Sequence, residues 1–344
     1  MISLREVSKT VVSGAEPLTI LHPLSLDIDR GQFIAIVGPR APNIGSDRSG
    51  RAELAEWLTS ARNPLTSRVA VNRVWQHLFG RGLVGTPDDF GTRGERPSHP
   101  GLLDHLARQF IRQGWSVKRL IRDLVLSRAY RLSSDLDRAA AARDPGNGWL
   151  WRMNRRRLRA EALRDGLLAV SGQLDRSPAG SVVAHLNVQA TGVGVRPNPP
   201  VRSVRRTIYL PVIRNDLPAL FQLFDFGDAL SVNGRRSATN VAPQALFMMN
   251  SPLVLEAARG TAARALAGHD VPDERRVLER LYLRILGRPP RRDEIDPSLA
   301  LVHDALSGSG PPASGSWDGA SARVRAWAIL AHALFCSSSF LYLD

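Results

Sequence analysis

The sequence has almost no cysteine, and this excludes several kinds of site. Cys336 is the only cysteine, so the chain can form no intrachain disulfide. A paired-cysteine zinc site and a covalent haem attachment through two cysteines are excluded for the same reason. We therefore expect no metal centre held by cysteines, and we assign no metal ligands and no cofactor. The low cysteine content is compatible with any cellular compartment.

Long apolar runs are missing as well. The best short run, Phe33–Val37, is far too short to span a bilayer, and no later stretch reaches that length without charges. The first residues, MISLREVSKTVVSG, lack the continuous apolar core of a signal peptide. We therefore expect no transmembrane segment and, for the chain as written, a cytoplasmic location.

Lysine is scarce, although the chain is strongly basic. The net charge is +14 at pH 7, yet lysine occurs only at Lys9 and Lys118, so the chain is arginine-rich. This charge is typical of proteins that bind nucleic acid, an anionic membrane surface or an acidic polymer. A GC-rich genome also produces such a composition, and no motif of a nucleic-acid reader accompanies it. The sequence argues against nucleic acid as a partner and leaves an acidic polymer as a candidate partner.

The pattern of apolar residues indicates a mainly α protein with a few short β-strands, an α+β class. Near the N-terminus, alternation predicts strands over 2–7, 18–28 and 33–37, and residues 40–50 predict a linker. Helical spacing begins after the linker. The predicted helices are 65–78 ending near Gly80, 102–110 with Ser98 as N-cap, 117–125 with Ser116 as N-cap, 158–167, 243–249, 253–266, 273–286 with Gly287 after it, and 324–334.

Three stretches of the main body carry no helical period. Residues 175–203 are rich in Pro, Gly, Ser and Val and predict a long irregular stretch. Residues 207–213, TIYLPVI, have the composition of a strand, and Pro211 places that strand at a sheet edge. Residues 307–319, SGSGPPASGSWDG, predict a flexible linker.

Two N-terminal motifs, MISLREVSKTV and LTILHPLSLDIDRGQFIAIVGP, lead toward a phosphate-binding loop that is not completed. Residues 1–39 resemble the start of an ABC-transporter ATPase of the lipoprotein- or macrolide-export type. Counted from Gly38, the second glycine of the GxxxxGK-Ser/Thr loop falls on Asn43, the lysine on Ile44 and the hydroxyl on Gly45. The phosphate cradle therefore lacks its cation and its magnesium ligand, and we predict that ATPase activity is absent.

The rest of the chain contains long ordered blocks that carry a second resemblance. They are residues 50–110, NRRRLRAEALRDGLLAVSGQLD at 154–175, residues 205–254, LERLYLRILGRPPRRDEI at 278–295 and HALFCSSSFLYLD at 332–344. Residues 47–344 resemble the planctomycete-type family called domain of unknown function 1553, which makes 51–344 one helical domain. The resemblance implies a partner domain of unknown function or a cytochrome-c-like protein, and relatives that are commonly exported. It supplies no catalytic residues.

One group of candidate site residues lies in the first half of this domain. Arg73 and His77 are four residues apart on one predicted helix, Asp88 and Asp89 follow in the loop GTPDDFG, and His99 precedes the next helix. Histidine and carboxylate side chains together are able to bind a metal or perform acid–base chemistry. The alternative is a structural polar network in which the arginine pairs with a carboxylate and an aspartate caps a turn.

A second candidate is the loop that follows DFGDALSVNG. Arg235, Arg236 and Asn240 present guanidinium and amide groups that suit a sulfated or carboxylated ligand. The alternative is a buried, hydrogen-bonded loop that joins the edge strand to the following helix. The sequence alone therefore favours a non-catalytic interaction or scaffold module. One alternative is an enzyme domain that acts on polysaccharide, with its site near Asp88, Asp89 and His99. The other is an inactive ATP-binding segment.

Overall fold

The structure of the protein is a computed structural model. It describes residues 2–13, 16–28, 49–91, 93–178, 203–210, 212, 217–227, 233–267, 273–308, 317 and 319–343. Within these residues helices dominate, which confirms the predicted mainly α class with few strands. No helix in this part of the chain combines the length and the apolar character that crossing a membrane requires.

The helices follow one another along the chain, and the connections between them differ widely in length. They are α1 Arg51–Thr59, α2 Thr66–Phe79, α3 Pro100–Arg112, α4 Val117–Val125, α5 Arg138–Arg143, α6 Ala160–Ser171, α7 Ala219–Leu223, α8 Ala242–Asn250, α9 Pro252–Leu266, α10 Glu274–Leu286, α11 Arg292–Ser307, α12 Ala322–Cys336 and α13 Ser338–Leu341. The strands are β1 Ile2–Ser13, β2 Glu16–Ile28, β3 Arg156–Arg157 and β4 Tyr342–Leu343.

The N-terminal strands form an antiparallel hairpin. β1 pairs with β2 from Ile2 opposite Ile28 to Ser13 opposite Glu16, with irregularities of register in between. This confirms the predicted strands over 2–7 and 18–28, and the observed strands continue to Ser13 and begin at Glu16. The third predicted strand, 33–37, and the phosphate-loop positions 38–45 lie outside the described residues.

A smaller core forms where α2, α3 and α4 pack together. The buried amide of Asn72 anchors the chain after α2, since it donates to the Val84 carbonyl at 3.0 Å and accepts from the Val84 N–H at 2.8 Å. Ser116 caps α4 as predicted, by accepting from the Arg119 N–H. The buried apolar residues of this core are Val71, Trp75, Phe79, Leu83, Val84, Leu103, Leu106, Phe110, Leu120, Leu124 and Met153.

The predicted N-cap of α3 is wrong. His99 occupies the cap position and Pro100 the first helical position, where the missing proline N–H costs no hydrogen bond. The Ser98 hydroxyl instead donates to the carbonyl of Leu83 at 3.2 Å. The serine therefore holds the entry of α3 against the smaller core.

A larger core lies between α6 and the helices from α8 to α13. α12 is its central element and is buried along most of its length, and α9 and α11 pack against it. The predicted helix 273–286 is confirmed as α10, and Gly287 ends it in a left-handed conformation with φ 69°. The largest fully buried side chains here are Phe221, Trp327, Phe335, Leu163, Leu167, Met248, Leu278, Leu281 and Val254.

The predicted edge strand at 207–213 is wrong in the part that the structure describes. Residues Thr207–Tyr209 form a 3-10 turn. The reason is a long-range contact: the Asp165 carboxylate on α6 accepts from the Thr207 N–H at 2.8 Å and from its hydroxyl at 2.6 Å. A residue whose N–H is bound by a helix side chain cannot donate it to a sheet.

The predicted flexible linker at 307–319 is corrected at both ends. α11 continues to Ser307, and Trp317 is 2% exposed in the larger core. The Trp317 indole Nε1–H donates to the Leu255 carbonyl of α9 at 2.9 Å. Residues 309–316 lie outside the described part, as do 179–202 of the predicted irregular stretch.

Replacement of Trp317 by phenylalanine tests this anchor. Trp317→Phe should lower the free energy of unfolding by about 1–3 kcal/mol, because the buried Leu255 carbonyl loses a donor and the smaller ring leaves space. The measurement is urea unfolding followed by circular dichroism. Trp149→Phe is the matched control, since Trp149 is 73% exposed and should change stability by less than about 0.5 kcal/mol. Equal effects of the two substitutions would contradict the anchor.

Candidate functional site

A cleft of about 680 Å³ lies where the two cores meet. One wall is the end of α2 with the turn that follows it, and the facing wall is built by the segment before α6, the loop after α7, and β4. The smaller core reaches the cleft through Trp75 and Phe79, and the larger core through Phe224. Its volume falls in the range usual for small-molecule sites.

Positive charge dominates the lining of this cleft. Seven arginines line it against two carboxylates, those of Glu95 and Asp225. Both carboxylates already have an arginine partner, Arg81 at 3.1 Å for Glu95 and Arg157 at 3.8 Å for Asp225. The cleft therefore has an excess of cations. The arginines are Arg81, Arg96, Arg155, Arg156, Arg157, Arg159 and Arg236.

The segment 154–159 supplies most of these arginines, and three sets of contacts fix it. β3 pairs with β4, Arg156 opposite Leu343 and Arg157 opposite Tyr342. The Asn154 amide donates to the Phe79 carbonyl at 2.9 Å, and Arg156 Nη1 donates to the His77 carbonyl at 2.5 Å. Both carbonyls belong to the last turn of α2, where a cation is favoured by the helix dipole.

Gly80 makes the approach of Arg156 to α2 feasible. Its φ is 88°, and a Cβ added there would lie 2.8 Å from Cδ of Arg156. Any side chain at this position would meet both backbone strain and the arginine. The glycine that ends α2 therefore also places a guanidinium in the cleft wall.

Two of the arginines are held rigidly by aromatic rings and acids. Arg157 lies over the Phe224 ring, 4.8 Å from its centroid, and donates to the Thr239 carbonyl. Arg236 lies 4.3 Å from the centroid of Phe226 and pairs with the Glu161 carboxylate at 2.7 Å. Such stacking removes rotamer freedom from the guanidinium. Asp225, at the left-handed φ of 55°, braces the same loop by accepting from the Thr239 N–H at 2.8 Å.

Arg159 is different, because no carboxylate in the described part of the chain lies within 4.0 Å of its guanidinium. It precedes α6 at the N-cap position and is exposed toward the cleft. Partial burial, followed by the charge of Arg236, lowers its pKa from the usual value for arginine. The charge of Glu161 opposes this lowering only in part, so the protein compensates the positive charge of Arg159 incompletely.

His77 experiences the same field. Partial burial lowers its pKa below 6.5, and the positive charges of Arg159, Arg236, Arg73 and Arg156 lower it further. The imidazole is therefore neutral at pH 7. The second histidine of the lining, His99, has Nδ1 3.0 Å from the Ser98 hydroxyl.

The structure divides the first group of predicted site residues. His77 and His99 line the cleft, but Arg73, Asp88 and Asp89 do not. Arg73 pairs with Asp88 at 3.4 Å, and Asp89 accepts from the Gly91 N–H at 3.1 Å in its own turn. The described residues contain no cluster of three or more His, Cys, Asp or Glu side chains suited to a metal.

Asp88 links the first predicted group to the second. Its carboxylate accepts from the Gly234 N–H at 2.6 Å, and the Gln76 amide donates to the Gly234 carbonyl at 2.9 Å. This pair of bonds holds the loop that carries Arg236 against α2. Of the second predicted group only Arg236 lines the cleft, whereas Arg235 and Asn240 are exposed elsewhere.

The sequence-based prediction missed the arginines of 155–159. The signal was present as RRRLR within NRRRLRAEALRDG, a local density of guanidinium groups ahead of a helix. What the sequence did not reveal is that β4, from the C-terminus, fixes this segment opposite α2.

The fold is thus a helical domain with two cores and an arginine-lined cleft between them. A family model described as PSD1, protein of unknown function (DUF1553), matches residues 50–302. The chain belongs to this family, as the sequence resemblance predicted. No curated protein and no solved structure matches it.

Hydrogen exchange tests the Asp88 contact. Asp88→Ala should speed exchange of the Gly234 amide about fivefold, because an exposed bond of about 1 kcal/mol is lost. Asp89→Ala is the control: it should affect the turn at Gly91 and leave Gly234 unchanged. Unaltered exchange at Gly234 in Asp88→Ala would show that the carboxylate does not hold the loop.

Proposed function

We propose that this domain is a non-catalytic interaction module that binds an anionic group in the arginine-lined cleft. The observation that carries the proposal is the charge of the lining, where seven arginines face two carboxylates that are already paired. Folding this many like charges together is unfavourable unless another charge compensates them. A bound anion provides that compensation.

The arrangement of the arginines supports recognition of a particular ligand geometry, in addition to a general attraction of anions. Arg157 and Arg236 are fixed by aromatic rings, while Arg159 keeps its donors unpaired within the described residues. A planar guanidinium matches the oxygens of a carboxylate, sulfate or phosphate through two parallel hydrogen bonds. The fixed arginines therefore shape the cleft and set its potential, and Arg159 is placed to contact the ligand.

The alternative of an enzyme domain has weaker support. An acid–base site near Asp88, Asp89 and His99 requires a free carboxylate near a histidine in one cavity. Asp88 instead bonds Arg73 and Gly234, and Asp89 closes its own turn. These contacts favour the structural reading of both aspartates and leave binding as the better account of the cleft.

We also propose the division into a truncated ABC-ATPase-like segment at 1–39, a linker at 40–50 and the helical domain at 51–344. The start of the family match at residue 50 supports that boundary. The absence of ATPase activity and the cytoplasmic location stay predictions. Candidate ligands are an acidic polymer or an acidic surface of the partner domain or cytochrome-c-like protein that the resemblance implies.

Removal of the Arg159 guanidinium tests the proposed function. Arg159→Ala should weaken binding of a naphthalene trisulfonate about tenfold, because a charge-assisted hydrogen bond in a partly desolvated site is lost. Isothermal titration calorimetry at low salt is the measurement. Arg275→Ala removes the same charge from the exposed start of α10, outside the cleft, and should change the affinity less than twofold. Equal losses of affinity in the two variants would show that the trisulfonate binds by non-specific charge attraction and not in the cleft.

The pH dependence of the same binding tests the role of His77. The pKa of His77 in the free protein is lowered, and a bound anion offsets the arginine field and raises it. Binding therefore takes up a proton, so affinity for the permanently charged trisulfonate should rise as pH falls from 7.5 to 5.5. His77→Asn should flatten this rise. A pH profile that is the same in both proteins would exclude His77 from the site.

A further inference from the structure

We propose that the ligand of the cleft is an acidic saccharide, a sugar that carries carboxylate or sulfate groups together with free hydroxyls. This inference rests on the anion-binding function proposed above. It depends on two buried polar atoms in the cleft wall that the charge argument does not explain. One is an acceptor on α2 and the other is a donor on β3.

The acceptor is Oε1 of Gln76. The Gln76 side chain is 4% exposed, and its amide nitrogen is used by the Gly234 carbonyl at 2.9 Å. Oε1 is buried and has no hydrogen-bond partner among the described residues, although Gln76 lines the cleft. A buried carbonyl oxygen without a donor is costly, so this atom points to a ligand that donates a hydrogen bond.

The donor is Nε of Arg156. Its neighbour Nη1 is used by the carbonyl of His77, the residue after Gln76, and its Cδ lies in the space beside Gly80. Nε is buried and lacks a partner in the described part of the chain. The unmatched donor and the unmatched acceptor therefore both lie at the last turn of α2.

Hydroxyl groups suit both atoms, because a hydroxyl oxygen donates as well as accepts. A sulfate, a carboxylate or the phosphodiester of DNA offers acceptors only, so it leaves Oε1 of Gln76 unmatched. An extended acidic peptide offers both kinds of group along its backbone, so it is the competing ligand in the test. The two atoms thus favour a ligand with free hydroxyls over a bare anion.

The rest of the lining suits a sugar ring. Leu150, Leu158 and Tyr342 place apolar surface among the arginines. A pyranose presents C–H groups on its faces and hydroxyls at its edge, and binding sites of this kind combine apolar walls with a few directed polar groups. The arginines then bind the acidic substituent of the sugar, and Arg159 contacts it directly.

The test compares ligands of equal charge that differ in their hydroxyls. Trigalacturonate should bind at least tenfold more tightly by calorimetry than O-methylated trigalacturonate, triglutamate or a short oligodeoxyribonucleotide. A sulfated galactose oligomer in the same series distinguishes sulfate from carboxylate as the preferred charge. Equal affinity for trigalacturonate and its methylated form, or tighter binding of the peptide or the nucleotide, would overturn the inference while the trisulfonate still reports anion binding. If no anion binds, the trisulfonate included, the proposed anion-binding function itself is wrong.

A variant pair locates the preference in the protein. Gln76→Met removes the acceptor at nearly constant volume and should bring the affinity ratio of trigalacturonate to its methylated form close to one. Because it also removes the amide that donates to the Gly234 carbonyl, the ratio and not the absolute affinity is the readout. Gln113→Met is the matched control, since Gln113 also has an unmatched buried Oε1 but lies outside the cleft. An unchanged ratio in Gln76→Met would overturn the assignment. Should Gln76→Met fail to fold by circular dichroism, the methylated ligand tests the same hydrogen bond on the unaltered protein.

Discussion

The arrangement of the cleft depends on the hydrogen bonds that satisfy the C-terminal carbonyls of α2. The last carbonyls of a helix have no partners within the helix, and here Asn154 and Arg156 supply two of the missing donors. Both donors come from the segment that leads into the larger core. Satisfying one helix end therefore joins the two cores and brings the arginines of that segment to the boundary between them.

The same hydrogen bonds bring several positive charges together, and the surrounding groups compensate these charges only in part. Arg156, Arg157 and Arg159 lie close together, and Arg236 approaches them from another loop. The backbone of α2, the aromatic rings and the paired carboxylates compensate Arg156, Arg157 and Arg236. Partial burial lowers the pKa values of His77 and Arg159, and the positive field that remains lowers them further.

The sequence predicted what local periodicity controls and failed where distant residues decide. The helical spacing over α2 and α10 and the glycine at 287 are local signals, and the structure confirms both helices and the end of α10, although the buried face of α2 carries Val71, Trp75 and Phe79. The strand composition of TIYL was overridden by Asp165, and the linker composition near Trp317 by the Leu255 carbonyl. α11 was not predicted, and it carries Pro297 inside its first turns, a residue that normally argues against a helix. The candidate site was half recognised, because the bonds that join Asp88 to Gly234 span residues 146 positions apart.

Arginine abundance and arginine function are separate questions in this chain. A GC-rich genome would account for the abundance of arginine, but it would not account for seven arginines that share one cavity whose two acids are already paired. Nor does it explain why a buried acceptor and a buried donor in the same wall lack partners within the described residues. Unmatched buried groups and uncompensated charge both cost stability, and a bound ligand is one way in which such costs are removed. The two features coincide in the cleft, and this coincidence separates it from the basic surface around it.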